Sequence, residues 1–194
     1  MIPFFVTAKQ GKPQSRICVL IPSFTYTVYA NIARGNTNKK MLERIKEWSA
    51  SPWTTDNFPQ FGLSTYNYHS DGSGISSSSR RRPILTMRSN VISYPGVPGS
   101  GCRHFPADSH LWYWLTTKGY EFDVITDDEL HKYGLAAIEK YSVVVTCSHP
   151  EYHTPQSLNA LQEYTNTGGH LMYLGGNGFY WKVAVSDVWP DAVE

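Results

Sequence analysis

One junction near residue 150 constrains the fold of this chain more than any other feature. Residues 141–146 are short and rich in valine, as in a strand buried on both faces of a sheet. Thr154 followed by Pro155 is typical of the start of a helix. His149 and Glu151 lie between the two signals, at the carboxyl end of the predicted strand. In doubly wound sheets this is the edge at which ligands bind.

Strand and helix signals alternate along much of the chain. This β-α-β rhythm predicts an α/β fold with a doubly wound, mainly parallel sheet and right-handed crossovers. Asp108 is the expected N-cap of one helix, and Thr126 with Glu129 forms a capping box at the start of the next. The predicted strands are 16–21, 121–125, 141–146 and 170–174, and the predicted helices are 25–33, 41–48, 108–118, 127–133 and 155–167.

The regular pattern is interrupted between residues 51 and 106, which are dense in Pro, Gly, Ser and Tyr. Connections of this length are uncommon inside compact domains and are usually binding loops or disordered segments. We expect a long irregular insertion, with one short strand at 84–87, inside a single domain that spans residues 1–194. That domain is expected to be part of a larger protein.

The composition excludes several classes of function. The formal net charge is +1, and no basic stripe alternates with aromatic residues, so nucleic-acid binding is not expected. The three cysteines, Cys18, Cys102 and Cys147, show no CxxC spacing, so neither a disulfide framework nor a zinc ribbon is supported. No apolar stretch is long enough to span a membrane. A cytoplasmic location is therefore expected.

Polar side chains follow three of the predicted strands. Tyr29 comes after the first strand, His149 and Glu151 after the third, and Asn177 after the fourth. Because the carboxyl ends of parallel strands share one edge of the sheet, these groups are expected to converge there. Residues 62–74, a glycine-flanked part of the irregular segment, add Tyr66, Tyr68, His69 and Asp71.

Structural roles compete with chemical ones for each of these residues. Any one of the 13 tyrosines is most often a packing residue, and His149 can serve as a hydrogen-bonding residue before a helix. His149 and His153 are spaced like a zinc pair, but Pro150 places His149 before the helix, so a zinc site is weakly supported. Cys147 lacks the flanking glycines of a nucleophile elbow and is expected to be a buried apolar residue.

Four blocks of the sequence carry a resemblance to a known family. The blocks are residues 21–31 (IPSFTYTVYAN), 64–74 (STYNYHSDGSG), 148–152 (SHPEY) and 174–181 (LGGNGFYW). They occur in the expected order and resemble successive blocks of the large subunit of N,N-dimethylformamidases, of which this chain covers only part. One departure is Cys147, where the family is expected to have glycine.

The resemblance implies a flavodoxin-like fold related to class I glutamine amidotransferases, without the amidotransferase cysteine. It also implies a mononuclear ferric ion held by Tyr29, Tyr66 and Glu151, with Tyr68 open as the alternative second tyrosine. By the same correspondence His149 and Glu151 are the catalytic residues, and Asn177 and His69 contact the substrate. The implied partners are a small amide substrate, other domains of the large subunit and a small subunit, within an oligomer.

The implied chemistry is coherent on physical grounds. Ferric iron is a hard cation that favours oxygen donors, and two phenolates with one carboxylate neutralise its charge. Such an ion polarises a carbonyl and activates a water molecule. The departing amine needs a proton, for which His149 is the expected donor. The expected reaction is therefore hydrolysis of the C–N bond of small N-alkylated formamides to an amine and formate.

Two other functions remain open from the sequence. The first is a non-catalytic glutaminase-like module that binds a ligand or partner and keeps the same residues for packing. The second is a thiol amidase that uses Cys147 and His149. A coloured, iron-containing protein would favour the ferric enzyme over both.

Overall fold

The computed structural model describes residues 4–32, 43, 46–47, 49, 55–92, 101–189 and 191–194. The chain divides into two compact units. The sheet unit comprises Phe4–Thr25 and His110–Ala184, and the tyrosine unit comprises Tyr26–Ser109 and Val185–Glu194. The helix predicted over residues 41–48 lies largely outside the described residues.

Within the described residues the helices and strands follow this chain order: β1 (Ile17–Ile21), α1 (Ser23–Val28), β2 (Ser78–Ser79), α2 (Phe105–Thr117), β3 (Asp123–Thr126), α3 (Asp127–Tyr133), β4 (Val143–Thr146), β5 (Tyr152–His153), α4 (Pro155–Asn166), β6 (His170–Met172), β7 (Trp181–Lys182) and β8 (Ala192–Val193). Short 3-10 turns occur at Thr55–Asn57, Pro59–Phe61 and Gly134–Ala137.

The sheet unit contains a four-stranded parallel sheet in the order β3-β1-β4-β6. Val19 at the centre of β1 pairs with Val124 on one side and Val145 on the other. The predicted α/β class and mainly parallel sheet are therefore confirmed. The core of the unit packs apolar side chains from β1, β3 and β4 against α3 and α4: Cys18, Leu20, Ile125, Leu130, Ile138, Tyr141, Val144, Ala160, Leu161 and Tyr164.

The helix starts in the sheet unit follow the local sequence signals. The Thr126 side chain accepts from the Glu129 N–H, while the Glu129 carboxylate accepts from the Thr126 N–H, so the predicted capping box is confirmed. Thr154 caps α4 in the same way, with Pro155 in the first turn. These signals hold because each depends only on residues three or four positions apart.

The start of α2 differs from the prediction. The helix begins at Phe105, so Asp108 lies in its first turn instead of capping it. The Asp108 carboxylate accepts a hydrogen bond from the Tyr26 hydroxyl, a partner 82 residues away. This long-range partner, which local sequence does not specify, occupies the carboxylate that was expected to cap the helix.

The tyrosine unit is mostly irregular within its described residues. Its β2 and β8 form a short antiparallel pair. The strand predicted at 84–87 is wrong: Ile84 and Met87 are buried, but the segment is not extended in a ladder. The Leu85 N–H instead donates to the side-chain oxygen of Asn31 at 2.7 Å. The apolar sequence correctly predicted that this segment is buried. Its backbone, however, bonds the side chain of Asn31 where a strand would bond a neighbouring strand.

No helix among the described residues is both long and apolar enough to cross a membrane.

Candidate active site

The loops that follow β1 and β4 meet at the carboxyl edge of the sheet. Thr25, just after β1, accepts hydrogen bonds through its side-chain oxygen from the N–H groups of Glu151 and Tyr152, each at 3.2 Å. Strands β1 and β4 are neighbours in the sheet, although more than 100 residues separate them in the chain. Thr25 therefore fixes the backbone that carries Glu151.

The loop after β6 joins the same edge. The Gly176 N–H donates to the Ser148 carbonyl at 3.2 Å, and the Phe179 N–H donates to the Pro150 carbonyl at 2.8 Å. A Cβ atom on Gly175 would lie 2.6 Å from the Ser148 carbonyl oxygen, so this close approach requires glycine. The structure thus brings the loops of the third and fourth predicted strands together. Asn177 lies on the second of these loops, exposed and with φ of +46°.

His149 and Glu151 form a buried pair in the sheet unit. The His149 Nε2 atom lies 3.0 Å from Glu151 Oε2, and the two residues are 7% and 3% exposed. Since a carboxylate only accepts, this contact places the imidazole proton on Nε2 when Glu151 is ionised. The contact fixes the orientation of the imidazole ring, as a residue that transfers a proton requires.

His153 has a structural role instead. It is fully buried; its Nε2 lies 3.1 Å from the Pro150 carbonyl oxygen and its Nδ1 lies 3.4 Å from the Ser157 hydroxyl. Burial lowers the pKa of His153 to about 4, against the opposing hydrogen bond to Pro150. With both ring nitrogens engaged by protein atoms, His153 does not form a zinc pair with His149.

Cys147 is fully buried at the end of β4. This burial agrees with its expected role as a small apolar residue and does not favour a thiol nucleophile.

Two tyrosines form the centre of the tyrosine unit. The Tyr29 hydroxyl donates a hydrogen bond to the Tyr66 hydroxyl at 2.9 Å, and the two rings stack with centroids 4.4 Å apart and an interplanar angle of 13°. Tyr29 is 5% exposed and Tyr66 is 42% exposed. Two phenol oxygens are therefore presented side by side, one from a buried ring and one from a ring that reaches solvent.

Backbone contacts hold the Tyr66 segment against the end of α1. The Ser64 hydroxyl donates to the Val28 carbonyl at 2.8 Å, and the Thr65 N–H donates to the same carbonyl at 3.3 Å. The Tyr66 N–H in turn donates to the Ser64 side-chain oxygen at 3.1 Å. These bonds place Tyr66 beside Tyr29 although 37 residues separate them.

Tyr68 and His69 lie apart from this pair, on a small hairpin. Tyr68 forms an antiparallel bridge with Gly74, and the His69 N–H donates to the Ser73 carbonyl at 2.9 Å. Asp71 forms the predicted turn at the tip, where its carboxylate accepts from Ser73. Tyr68 is 70% exposed, so the structure brings Tyr66 and not Tyr68 to Tyr29.

Two residues that the sequence did not single out shape the tyrosine pair. His104 is buried beside Tyr29, with ring centroids 4.3 Å apart, and has a left-handed φ of +54°. Asn31, also left-handed at φ of +58°, binds the backbone at residues 61–62 and 83–85 of the irregular segment. Asparagine and histidine adopt such φ values more often than most residues do, but their presence alone does not predict them, so neither position was singled out from sequence.

The tyrosine pair offers two oxygen donors that could hold a hard metal ion. Two ligand atoms bound at right angles to one hard cation, each about 2 Å away, lie about 2.8 Å apart. The Tyr29 and Tyr66 oxygens, at 2.9 Å, need little movement to satisfy this geometry. Phenolate oxygens are also the hard donors that ferric iron prefers. Within the described ranges no three His, Cys, Asp or Glu side chains are grouped to hold a metal, so histidine- and cysteine-rich sites are not indicated there.

Comparison with known proteins gives consistent matches over the whole chain. A family described as "N,N-dimethylformamidase beta subunit-like, C-terminal" matches residues 1–192. A protein of Paracoccus aminophilus named N,N-dimethylformamidase beta subunit is 36% identical over 197 residues, and one of the same name from an Alcaligenes species is 35% identical over 207. Both alignments cover 100% of this chain but only 25% of the relative. The chain thus spans about a quarter of the length of these curated relatives.

Proposed function

Because this chain belongs to the N,N-dimethylformamidase beta subunit-like C-terminal family, we propose that it forms part of an amide hydrolase. The proposed reaction is cleavage of the C–N bond of small N-alkylated formamides, such as N,N-dimethylformamide, to dimethylamine and formate. The observation that carries the proposal is the family match over residues 1–192, which includes every candidate site residue.

We propose that Tyr29 and Tyr66 hold a mononuclear ferric ion through their phenol oxygens. The 2.9 Å separation of those oxygens and the burial of Tyr29 support this assignment. Glu151 is proposed as the third ligand on the resemblance between its segment, residues 148–152, and the family. When bound, the ion would polarise the substrate carbonyl and lower the pKa of a water molecule.

His149 is proposed to supply the proton that the leaving amine requires. Glu151, whose Oε2 lies 3.0 Å from Nε2, orients the imidazole ring, and both residues are buried. Because an amide anion is a very poor leaving group, protonation of the nitrogen accompanies C–N cleavage. Asn177 and His69 are proposed to contact the substrate; Asn177 lies on the loop that packs against the His149 segment.

The strand order supports a more specific fold assignment. Numbered within the sheet, the order β3-β1-β4-β6 becomes 2-1-3-4, which follows the start of the flavodoxin-like order 2-1-3-4-5. In that fold the ligand binds outside the carboxyl ends of the first and third strands of the sheet, which here are β1 and β4. Thr25 and Glu151 lie at this edge. We propose a flavodoxin-like unit related to class I glutamine amidotransferases.

The proposed partners are a small amide substrate, the remaining domains of the large subunit and a small subunit. The relatives are named beta subunits, which supports assembly with other chains. Oligomeric assembly and a cytoplasmic location are likewise proposed.

The test is a comparison of Tyr66→Phe with Tyr68→Phe in the assembled enzyme. Tyrosinate-to-iron charge transfer should colour the wild-type protein. Tyr66→Phe should remove most visible absorption and dimethylamine release, while Tyr68→Phe should keep both. A colourless wild-type protein without bound iron would contradict the ferric proposal. Loss of colour in Tyr68→Phe alone would identify Tyr68 as the ligand.

A further inference from the structure

A pocket of about 750 Å³ on the tyrosine unit is larger than the chemistry proposed above requires, although His69, a proposed substrate contact, lies in its wall. Its walls include the exposed rings of Tyr68 and Trp189 and the apolar side chains of Leu63 and Ile75. Pockets of 300–1,000 Å³ usually hold ligands of drug size. A small formamide, with only a few non-hydrogen atoms, would leave most of this volume empty.

The two exposed rings are held on structured turns. Tyr68, 70% exposed, belongs to the hairpin closed by its bridge to Gly74. Trp189 is 63% exposed; its N–H donates to the Ser186 hydroxyl at 3.1 Å, and its carbonyl accepts from the Ala192 N–H at 3.2 Å. Because ordered backbone carries both rings, a flat ligand that contacts them loses little of its binding energy to loop ordering.

The pocket is also positively charged. The Arg82 guanidinium donates hydrogen bonds to the Ser78 hydroxyl and to four backbone carbonyls, those of Ala30, Phe61, Leu63 and Ser79. These acceptors are all uncharged, and burial lowers the pKa of Arg82. The positive charge of Arg82 at the wall of the pocket is therefore not neutralised by a bonded carboxylate.

Arg81 supplies the hydrogen-bond donors that a ligand could reach. Its side chain is 66% exposed, and its Nε donates to Asp191, which also pairs with Arg80. Burial would raise the pKa of Asp191, but hydrogen bonds from Arg81 and Arg80 lower it, so the carboxylate stays ionised. Arg80 and Arg81 thus share the single carboxylate of Asp191, while the hydrogen bonds of Arg82 go to uncharged acceptors. Asp71, at the hairpin tip, does not line the pocket.

We propose that this pocket binds a small planar carboxylate, an aromatic acid whose ring contacts Tyr68 and Trp189 and whose carboxylate binds Arg81. The ionised Asp191 beside Arg81 favours a single negative charge over a phosphate dianion, because the second charge would be repelled. The apolar walls favour a ring over an aliphatic polar ligand. This inference rests on the aromatic and arginine side chains of the pocket, and the proposed amide hydrolysis uses only His69 of that lining.

The probe is sodium benzoate, titrated by calorimetry and by NMR against the 194-residue chain, with neutral benzamide as the matched ligand. Benzoate should saturate with a dissociation constant on the order of 1 mM or below, and benzamide should bind at least about tenfold more weakly. Arg81→Gln should weaken benzoate about tenfold, whereas Arg80→Gln should change it less than about twofold. Arg80 is the matched control because it also pairs with Asp191 but does not line the pocket.

Three outcomes would overturn the proposal. Absence of saturable benzoate binding up to about 10 mM would exclude a small-acid site and favour a polypeptide occupant. Equal binding of benzamide would remove the role of charge, and this comparison needs no variant. Equal weakening by Arg81→Gln and Arg80→Gln, with unchanged circular dichroism, would show only a general surface-charge effect.

Discussion

Asn31 should control whether the irregular segment holds Tyr66 beside Tyr29. Its side chain is 1% exposed and contacts the backbone at four points. Oδ1 accepts from the Leu85 N–H at 2.7 Å, and Nδ2 donates to the carbonyls of Pro83, Gly62 and Phe61 at 2.8, 3.2 and 3.3 Å. Asn31 lies three positions after the end of α1. Its side chain therefore connects both ends of residues 61–85 to the end of that helix.

The cost of Asn31→Ala can be assembled from these contacts. Leaving the buried Leu85 N–H without its acceptor costs about 1–3 kcal/mol. Losing the two hydrogen bonds that the Nδ2 protons can make costs about 1 kcal/mol each. Alanine at φ of +58° adds about 1 kcal/mol, because only glycine, asparagine and aspartate visit this region readily. The expected loss of unfolding free energy is about 4–6 kcal/mol.

Urea unfolding, followed by circular dichroism and tyrosine fluorescence, measures this loss. Asn31→Gly keeps the backbone conformation but not the hydrogen bonds, so it should be about 1 kcal/mol less damaging than Asn31→Ala. Asn90→Ala, at an exposed asparagine, should stay within about 0.5 kcal/mol of wild type. An Asn31→Ala protein within about 1 kcal/mol of wild type would refute the reasoning, because the four contacts would then carry no net stability.

Three further predictions concern the sheet unit. His149→Asn should leave iron content near normal and cut turnover of the assembled enzyme by about 10²–10⁴, as for loss of a positioned proton donor; loss of iron would identify His149 as a ligand. Gly175→Ala should destabilise by about 1–3 kcal/mol in urea, because its Cβ would meet Ser148, whereas Gly176→Ala, with open space, should change stability by less than about 0.5 kcal/mol. Burial, with a smaller contribution from Asp128, raises the pKa of Asp127 well above its usual value, against the Phe24 N–H. The protonated carboxyl of Asp127 therefore contributes to the stability of the folded state. This contribution is fully present below the unfolded pKa of about 4 and is lost as pH rises through the folded pKa. Asp127→Asn should therefore flatten the decline seen in urea unfolding above pH 4, and an unchanged pH profile would contradict the raised pKa.

Several features of the fold and site could be predicted from local sequence. The valine-rich run at β4, the Thr126 capping box and the Thr154–Pro155 helix start each depend on residues within a few positions of one another. The alternation of such signals was sufficient to predict a parallel α/β sheet. It also placed the His149 segment and the Asn177 loop at the same edge, because parallel strands share their carboxyl ends.

The tertiary structure alone decided how the irregular segment is used. Nothing local distinguishes Tyr66 from Tyr68; bonds from Ser64 and Thr65 to Val28, 36 and 37 residues away, bring Tyr66 to Tyr29. The same applies to Asp108, which bonds Tyr26 instead of capping α2, and to residues 84–87, which bond Asn31 instead of a strand. Patterns of capping and burial are set by neighbours in sequence and survive in most contexts. Hydrogen-bond partners of an irregular backbone are chosen by what the rest of the fold places nearby, which no short stretch of sequence specifies.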